Sequence, residues 1–265
     1  MTFPLLLKLP SVAQEQVLLQ LDVPDLKRPE WCSIQKPVTN FQVAFDYVQN
    51  LFRLPMASYN FTNNNQNLFP QRFGITRCDE VWLITSEDIP VDELKYVLEK
   101  MEIRKKLKLY LDGNNDFECD FVKFSMDDLD INRAFWITKK TFLAMDCARI
   151  EMQNTRDLPI REFVSQWLSS RNTRFELLKL PWYREQINWN EGLKPMSWNR
   201  TLRGRYFKIF GIDTYKKVDC EKGIDFLRED GMLATVVQNR SCFYFIVWHK
   251  RFQPEADFLP LDAWI

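Results

Sequence analysis

Glycine and histidine are scarce in this chain, with seven glycines and a single histidine, His249, among 265 residues. So few glycines leave no room for the glycine-dense loops that cradle phosphates or open dinucleotide folds, and neither a GxGxxG nor a Walker-type run occurs. With one histidine, a serine or cysteine nucleophile has no other imidazole to act as its base, and His249 closes an aromatic run that reads as the end of a strand. The six cysteines, Cys32, Cys78, Cys119, Cys147, Cys220 and Cys242, contain no CxxC pair, so neither a zinc site nor any cofactor is expected. No secretory n-region and h-region precede the first motif, and most of the cysteines sit in apolar runs. They are expected as reduced, buried thiols in a cytoplasmic or nuclear protein. Net charge is also missing: 36 Lys plus Arg balance 36 Asp plus Glu, so no global field steers the chain toward nucleic acid or acidic lipid. No apolar stretch approaches the roughly 20 residues that span a bilayer.

What the chain does have is 46% hydrophobic and 14% aromatic residues, enough to fill a sizeable core. Pro10 and Ser11 mark a helix start, and Ala13, Val17 and Leu21 recur at helical spacing beside Leu18. A short turn at Asp22–Leu26 and a third helix after Pro29 complete three short helices, with more apolar surface than about 35 residues can bury alone. A fourth helix is read from Phe41, Phe45, Val48 and Phe52, then a strand near Met56–Phe61 and an asparagine-rich loop over 62–67. Beyond it, strand and helix alternate. Strands are expected at Val81–Ile84, Leu107–Leu111, Ala148–Met152 and Phe175–Leu180, with helices at Val91–Met101 and Ile160–Ser169. The two strand–helix–strand units are each about 27 residues long, within the leucine-rich-repeat range, and such connections favour a parallel sheet with helices on one side. Residues 188–205 read as loop. After Tyr206–Phe210, turn signals at Asp230-Gly231 and Gln238–Ser241 predict a terminal antiparallel meander. The fold class is therefore α/β (α+β), with an N-terminal helical module over 1–37 and a strand/helix domain over 38–265.

Acidic pairs such as Asp127-Asp128 and Glu229-Asp230 are read at helix starts and turns, where carboxylates suit the dipole and the turn. The run Arg104-Lys105-Lys106 is read as preceding a strand, and Arg200, Arg203 and Arg205 lie near Trp198 and Tyr206. Such aromatic interleaving would suit single-stranded nucleic acid, but zero net charge favours solvated faces or protein contacts. Trp182, Tyr183, Trp189 and Trp198 crowd a loop-rich region, where large aromatics either fill gaps between layers or anchor a partner.

Two stretches resemble one family. Leu9-Pro10, Val17-Leu18, Leu21, Asp22, Leu26 and Trp31-Cys32-Ser33 are similar to the F-box of nematode proteins, with Val23 standing where that family usually has proline. Downstream, Asp146-Cys147, Asp157-Leu158, Phe163-Val164, Trp167, Asn172 and Phe175–Leu178 resemble the type-2 F-box-associated domain. So does the run Gly223, Asp225, Arg228, Asp230-Gly231, Ala234-Thr235, ending at Val247-Trp248-His249. The resemblance implies a non-catalytic substrate-recognition subunit of a Skp-cullin-F-box ubiquitin ligase. In it the F-box, through Leu9, Pro10, Val17, Leu18, Leu21, Leu26 and Trp31, would pack on a Skp-family adaptor and so reach a cullin. An irregular, leucine-rich-repeat-like domain would hold a target protein, with Trp182, Tyr183, Trp189 and Trp198 as candidate anchors. The alternatives are an F-box protein that neutralises a partner, such as a toxin, without its degradation, and a nucleic-acid-binding or other interaction domain.

Overall fold

The computed structural model describes residues 56–62, 69–210 and 215–249. By its contacts the chain divides into two compact units, Met1–Leu54 and Pro55–Ile265. The three N-terminal helices, the helix at Phe41, most of the asparagine-rich loop and the boundary expected at 37/38 all lie outside the described residues.

Six strands follow one another in both sequence and space: β1 (Met56–Thr62), β2 (Arg77–Thr85), β3 (Glu102–Leu111), β4 (Asp128–Ile131), β5 (Arg149–Met152) and β6 (Leu177–Pro181). Each pairs in parallel with the next. Parallel neighbours need a crossover, and a strictly sequential order means every crossover steps the same way, which keeps the connecting elements on one face of the sheet. Those elements include a 3₁₀ turn at Pro70–Phe73, α1 (Val91–Glu99), the short α2 (Lys139–Leu143) and α3 (Ile160–Ser169). The register sets Ser58, Glu80, Lys106, Asp128, Arg149 and Leu177 side by side, 21 to 28 residues apart in the chain. The sequence reading found two of these units because it passed over β4, which lies midway between β3 and β5.

The core follows from the two-residue period of strands. Val81, Leu107, Leu129, Ile150, Leu178 and Phe245 form one continuous row across the sheet, each at most 2% exposed. Against it α1 buries Leu94, Val97 and Leu98, and α3 buries Phe163, Val164 and Trp167. Phe163, Trp167 and Phe175 all meet Phe245 at centroid distances of 5.4–6.3 Å or share edges with one another. Side-chain amides close the loops beyond the strands: Asn132 Oδ1 accepts from Leu111 N–H at 3.0 Å, and Asn114 exchanges two hydrogen bonds with Ile89.

The second half of the sheet is antiparallel. β12 (Cys242–Trp248) pairs with β6, then β11 (Leu233–Gln238), β10 (Ile224–Leu227) and the two-residue β7 (Met196–Ser197) complete ten strands. This is the expected meander, with β7 inside the segment read as loop. A separate hairpin, β8 (Tyr206–Phe210) with β9 (Tyr215–Asp219), lies over this half. Its Val218, with Cys220 and the half-buried Phe207 and Ile209, packs on Leu177, Tyr244, Ile246 and Trp248.

Beneath that hairpin sits a buried polar network. Arg203 and Asp225 are both fully buried, and Arg203 Nε donates to the two Asp225 oxygens at 2.9 and 3.0 Å. Arg203 Nη2 also donates to Cys220 O at 2.8 Å and Nη1 to Gly204 O at 3.0 Å. Thr235 Oγ1 donates to Asp225 at 2.7 Å and accepts from Trp248 Nε1 at 2.8 Å. A second arginine, Arg228, is 3% exposed, pairs with Asp230 at 2.7 Å and lies 4.5 Å from the Trp167 ring. Buried guanidinium groups are tolerable only when paired and hydrogen-bonded, and both of these are.

A candidate recognition face on the parallel half

On β1–β5 the side chains opposite the core row face away from the helices, because alternate residues of a strand point to opposite sides. One row reads Asn60, Trp82, Lys108, Asp130, Glu151 and Lys179. A second, two residues toward the strand starts, is the row of Ser58 already given, and Ile84 and Tyr110 pair on the other flank. The result is a polar and aromatic ladder on a sheet whose other face is apolar.

Charges alternate by strand along the row of Glu80, Lys106, Asp128 and Arg149, whereas Asp130 and Glu151 adjoin in the other row. Arg149 holds Asp128 through a two-pronged contact at 2.5 and 3.0 Å, and Lys179 Nζ reaches Glu151 at 2.5 Å. These groups are partly solvated, and such pairs contribute roughly 0–1 kcal/mol each. Lys108 is only loosely paired, 3.9 Å from Asp130, and its ammonium lies 4.2 Å from the Tyr110 ring centre and 5.3 Å from that of Trp82. Lys106 also sits 5.3 Å from the Trp82 ring centre, and among the described residues no carboxylate lies within ion-pair distance of it. Asp130 accepts from the Tyr110 hydroxyl at 3.1 Å through Oδ2, while its buried Oδ1 has no hydrogen-bond partner among the described residues. Burial, and after it the Glu151 carboxylate, push the Asp130 carboxyl above the ordinary range, against Lys108, the Tyr110 hydroxyl and Lys106. The indole N–H of Trp82 is likewise buried and has no acceptor among the described residues.

Two sequence readings are corrected here. Arg104-Lys105-Lys106 does not precede a strand but lies within β3, and Asp128 opens β4 instead of a helix. Periodicity missed β4 because four residues alternating acid and aliphatic, Asp-Leu-Asp-Ile, are too few to register as a strand. Glu229-Asp230 does lie at a turn, where Arg228 holds the Asp230 carboxyl down at about 2. His249 sits just past β12 with Nε2 2.9 Å from Phe175 O, a strand-end contact. Cys78, Cys119, Cys147, Cys220 and Cys242 are all buried, and burial pushes the Cys147 and Cys220 thiols up to about 12. Among the described residues no His/Cys/Asp/Glu cluster could hold a metal, and no helix is long and apolar enough to cross a membrane.

The proposed adaptor-binding residues Leu9, Pro10, Val17, Leu18, Leu21, Leu26 and Trp31 lie outside the described residues. The four aromatic candidates separate by environment. Tyr183 and Trp189 are buried, Tyr183 edge-on to Phe243 and Trp189 stacked on Phe243 and tilted against Phe226, so their rings serve the core. Trp198 is half-buried, its N–H 3.4 Å from Arg203 O. Trp182 alone of the four stands out in solvent, 62% exposed, just past β6. Its φ of 63° is a left-handed value that costs a bulky side chain about 1–3 kcal/mol. Such strain marks a position held by its surroundings, here by the Trp182 N–H bonded to Ser241 O at 2.8 Å.

The chain is similar to two Caenorhabditis elegans proteins, both described as uncharacterized. It is 29% identical to F59B2.8 over 173 residues, covering 60% of this chain and 39% of that protein. It is 25% identical to F59B2.9 over 187 residues, covering 68% of this chain and 44% of that one. The chain thus spans less than half the length of either relative. No family model matches the sequence, and no solved structure matches the fold.

Proposed function

We propose that this chain is a substrate-recognition subunit of a Skp-cullin-F-box ubiquitin ligase, non-catalytic in itself, with the sheet domain holding the target. The observation that carries the reading is the face of β1–β5 that no described element covers: a sheet buried by helices on one side and lined with charged and aromatic side chains on the other. Sequential parallel strands at intervals of 21 to 28 residues support a leucine-rich-repeat-like description, an architecture that offers an extended surface to a protein partner. The F-box resemblance over Leu9–Ser33 supplies the adaptor half of the proposal, and relatives in a nematode agree with a nematode-type module. The buried, unbridged thiols of Cys78, Cys119, Cys147 and Cys220 suit a reducing compartment, the cytoplasm or the nucleus.

The test is co-purification. Leu9→Ala with Pro10→Ala removes two apolar anchors of the adaptor-binding patch, and the double variant is expected to lose a Skp-family adaptor that the parent chain retains. An unchanged yield of adaptor would refute the ligase assignment. Blocking the proteasome then separates degradation from sequestration, since only a degraded partner rises in abundance.

A further inference from the structure

The recognition face carries equal numbers of each charge: Lys106, Lys108, Arg149 and Lys179 against Glu80, Asp128, Asp130 and Glu151. They are not mixed evenly. Strand β3 contributes two ammonium groups gathered over Trp82, and the next two strands place Asp130 and Glu151 side by side. Polyanions are excluded by this pattern, because a phosphate chain drawn to β3 would run onto the carboxylates one strand away. The unsatisfied groups point to what fits instead. Among the described residues Lys106 has no carboxylate within ion-pair distance, Lys108 leans on two aromatic rings with its carboxylate at the limit of pairing distance, and the Asp130 and Glu151 carboxylates stand next to each other across β4 and β5.

The geometry points to an extended peptide of a partner protein lying across the strands, with an acidic side chain on Lys106, Lys108 and Trp82 and a basic side chain on Asp130 and Glu151. Neighbouring strands are about 4.8 Å apart, so the interval from β3 to the space between β4 and β5 is about 7 Å. In an extended chain, residues i and i+2 share a face and are separated by nearly the same distance, about 6.7 Å. The recognised element is therefore an acidic and a basic residue separated by one other. This inference rests on the reading of this face as the one that holds the target, and it adds the chemistry of the target segment.

The experiment uses the full chain and four fluorescein-labelled heptapeptides on an Ala/Ser background, read by fluorescence anisotropy. They carry Glu-x-Arg, Glu-x-Ala, Ala-x-Arg or neither charge. Glu-x-Arg is expected to bind at least tenfold more tightly than either singly charged peptide. Lys106→Gln should reduce Glu-x-Arg to the level of Ala-x-Arg while leaving Ala-x-Arg unchanged, and Asp130→Asn should reduce it to the level of Glu-x-Ala. Because each variant is expected to keep half of the selectivity, retained binding of the other singly charged peptide reports that the fold is intact. Equal affinity for all four peptides, or a loss that both variants spread evenly over them, would overturn the inference. So would displacement of Glu-x-Arg by an oligouridylate of similar affinity, which would make the face a nucleic-acid site. The assay needs no adaptor, so its failure is distinct from failure of the ligase assignment, which is read from adaptor capture alone.

Discussion

Replacing Asp225 by asparagine removes the negative charge that lies against the Arg203 guanidinium in a fully buried site. The asparagine keeps the volume but offers one acceptor oxygen where the carboxylate offered two, and Arg203 Nε and Nη2 and Thr235 Oγ1 all depend on those two. Beyond that one oxygen Arg203 would retain Cys220 O and Gly204 O, all neutral acceptors facing an uncompensated charge. Breaking a buried pair in this way costs about 3–5 kcal/mol. For a domain of this size that is a fall in melting temperature on the order of 10 °C. Urea unfolding followed by tryptophan fluorescence checks it, with Trp248 as a local reporter because its ring lies 5.4 Å from Arg203 and its N–H is bonded to Thr235. Arg203→Met alone should destabilise by a similar amount, since it strands the carboxylate. The double variant Arg203→Met with Asp225→Leu should be closer to the parent than either single variant, because two apolar groups leave no orphaned charge. A loss below about 1 kcal/mol for Asp225→Asn, or strictly additive single effects, would refute the argument that this pair holds the hairpin end of the sheet.

Two further outcomes follow from the same region. Gly223→Ala would bring a Cβ to 2.5 Å from Thr235 Cγ2 and 3.0 Å from Cys220 O. Thr235 cannot turn aside without releasing Asp225 and Trp248, so calorimetry should show a loss of about 1–3 kcal/mol. Asp230 supplies a pH dependence: its folded value of about 2 lies below the roughly 3.9 of an unfolded aspartate, so its contribution is present above pH ~4 and is lost as pH falls toward 2. Denaturation midpoints of the parent and Asp230→Asn should therefore differ by a constant amount at pH 5–6 and converge near pH 2.

Much of the sheet was legible because its signals are local. Val91–Glu99 and Ile160–Ser169 carry their apolar residues at helical spacing, and Leu107–Leu111 alternates plainly. The meander followed from Asp230-Gly231, and Gly231 adopts φ 87°, which a turn there requires. What escaped was set by tertiary structure. Strand β4 is four residues long and exists because β3 and β5 flank it. Arg203 looked like part of a basic and aromatic patch, yet it is buried, because its partner Asp225 lies 22 residues further on and no spacing rule connects the two. Tyr183 and Trp189 show the same limit. An aromatic in a loop-rich stretch is core or anchor according to what the chain folds beneath it, here Phe226 and Phe243.

The motif that suggested a family also has a physical content independent of any name. Gly223 is small because Thr235 lies against it, Asp225 is acidic because Arg203 reaches it, and Arg228 is basic because Asp230 and the Asn172 carbonyl accept its hydrogen bonds. Thr235 bridges Asp225 to the Trp248 that ends the last strand. All of these residues build the covered half of the sheet, where the hairpin closes the face opposite the helices. The parallel half has no such cover among the described residues, and its face carries Trp82, Tyr110 and the charges of β3–β5 instead. In this chain the residues of the motif thus fix one half of the sheet and take no part in the other. Substitutions in the first half should change stability and leave peptide selectivity intact, whereas Lys106 and Asp130 should change selectivity at little cost in stability. That separation is what the proposed recognition of a partner on this face requires.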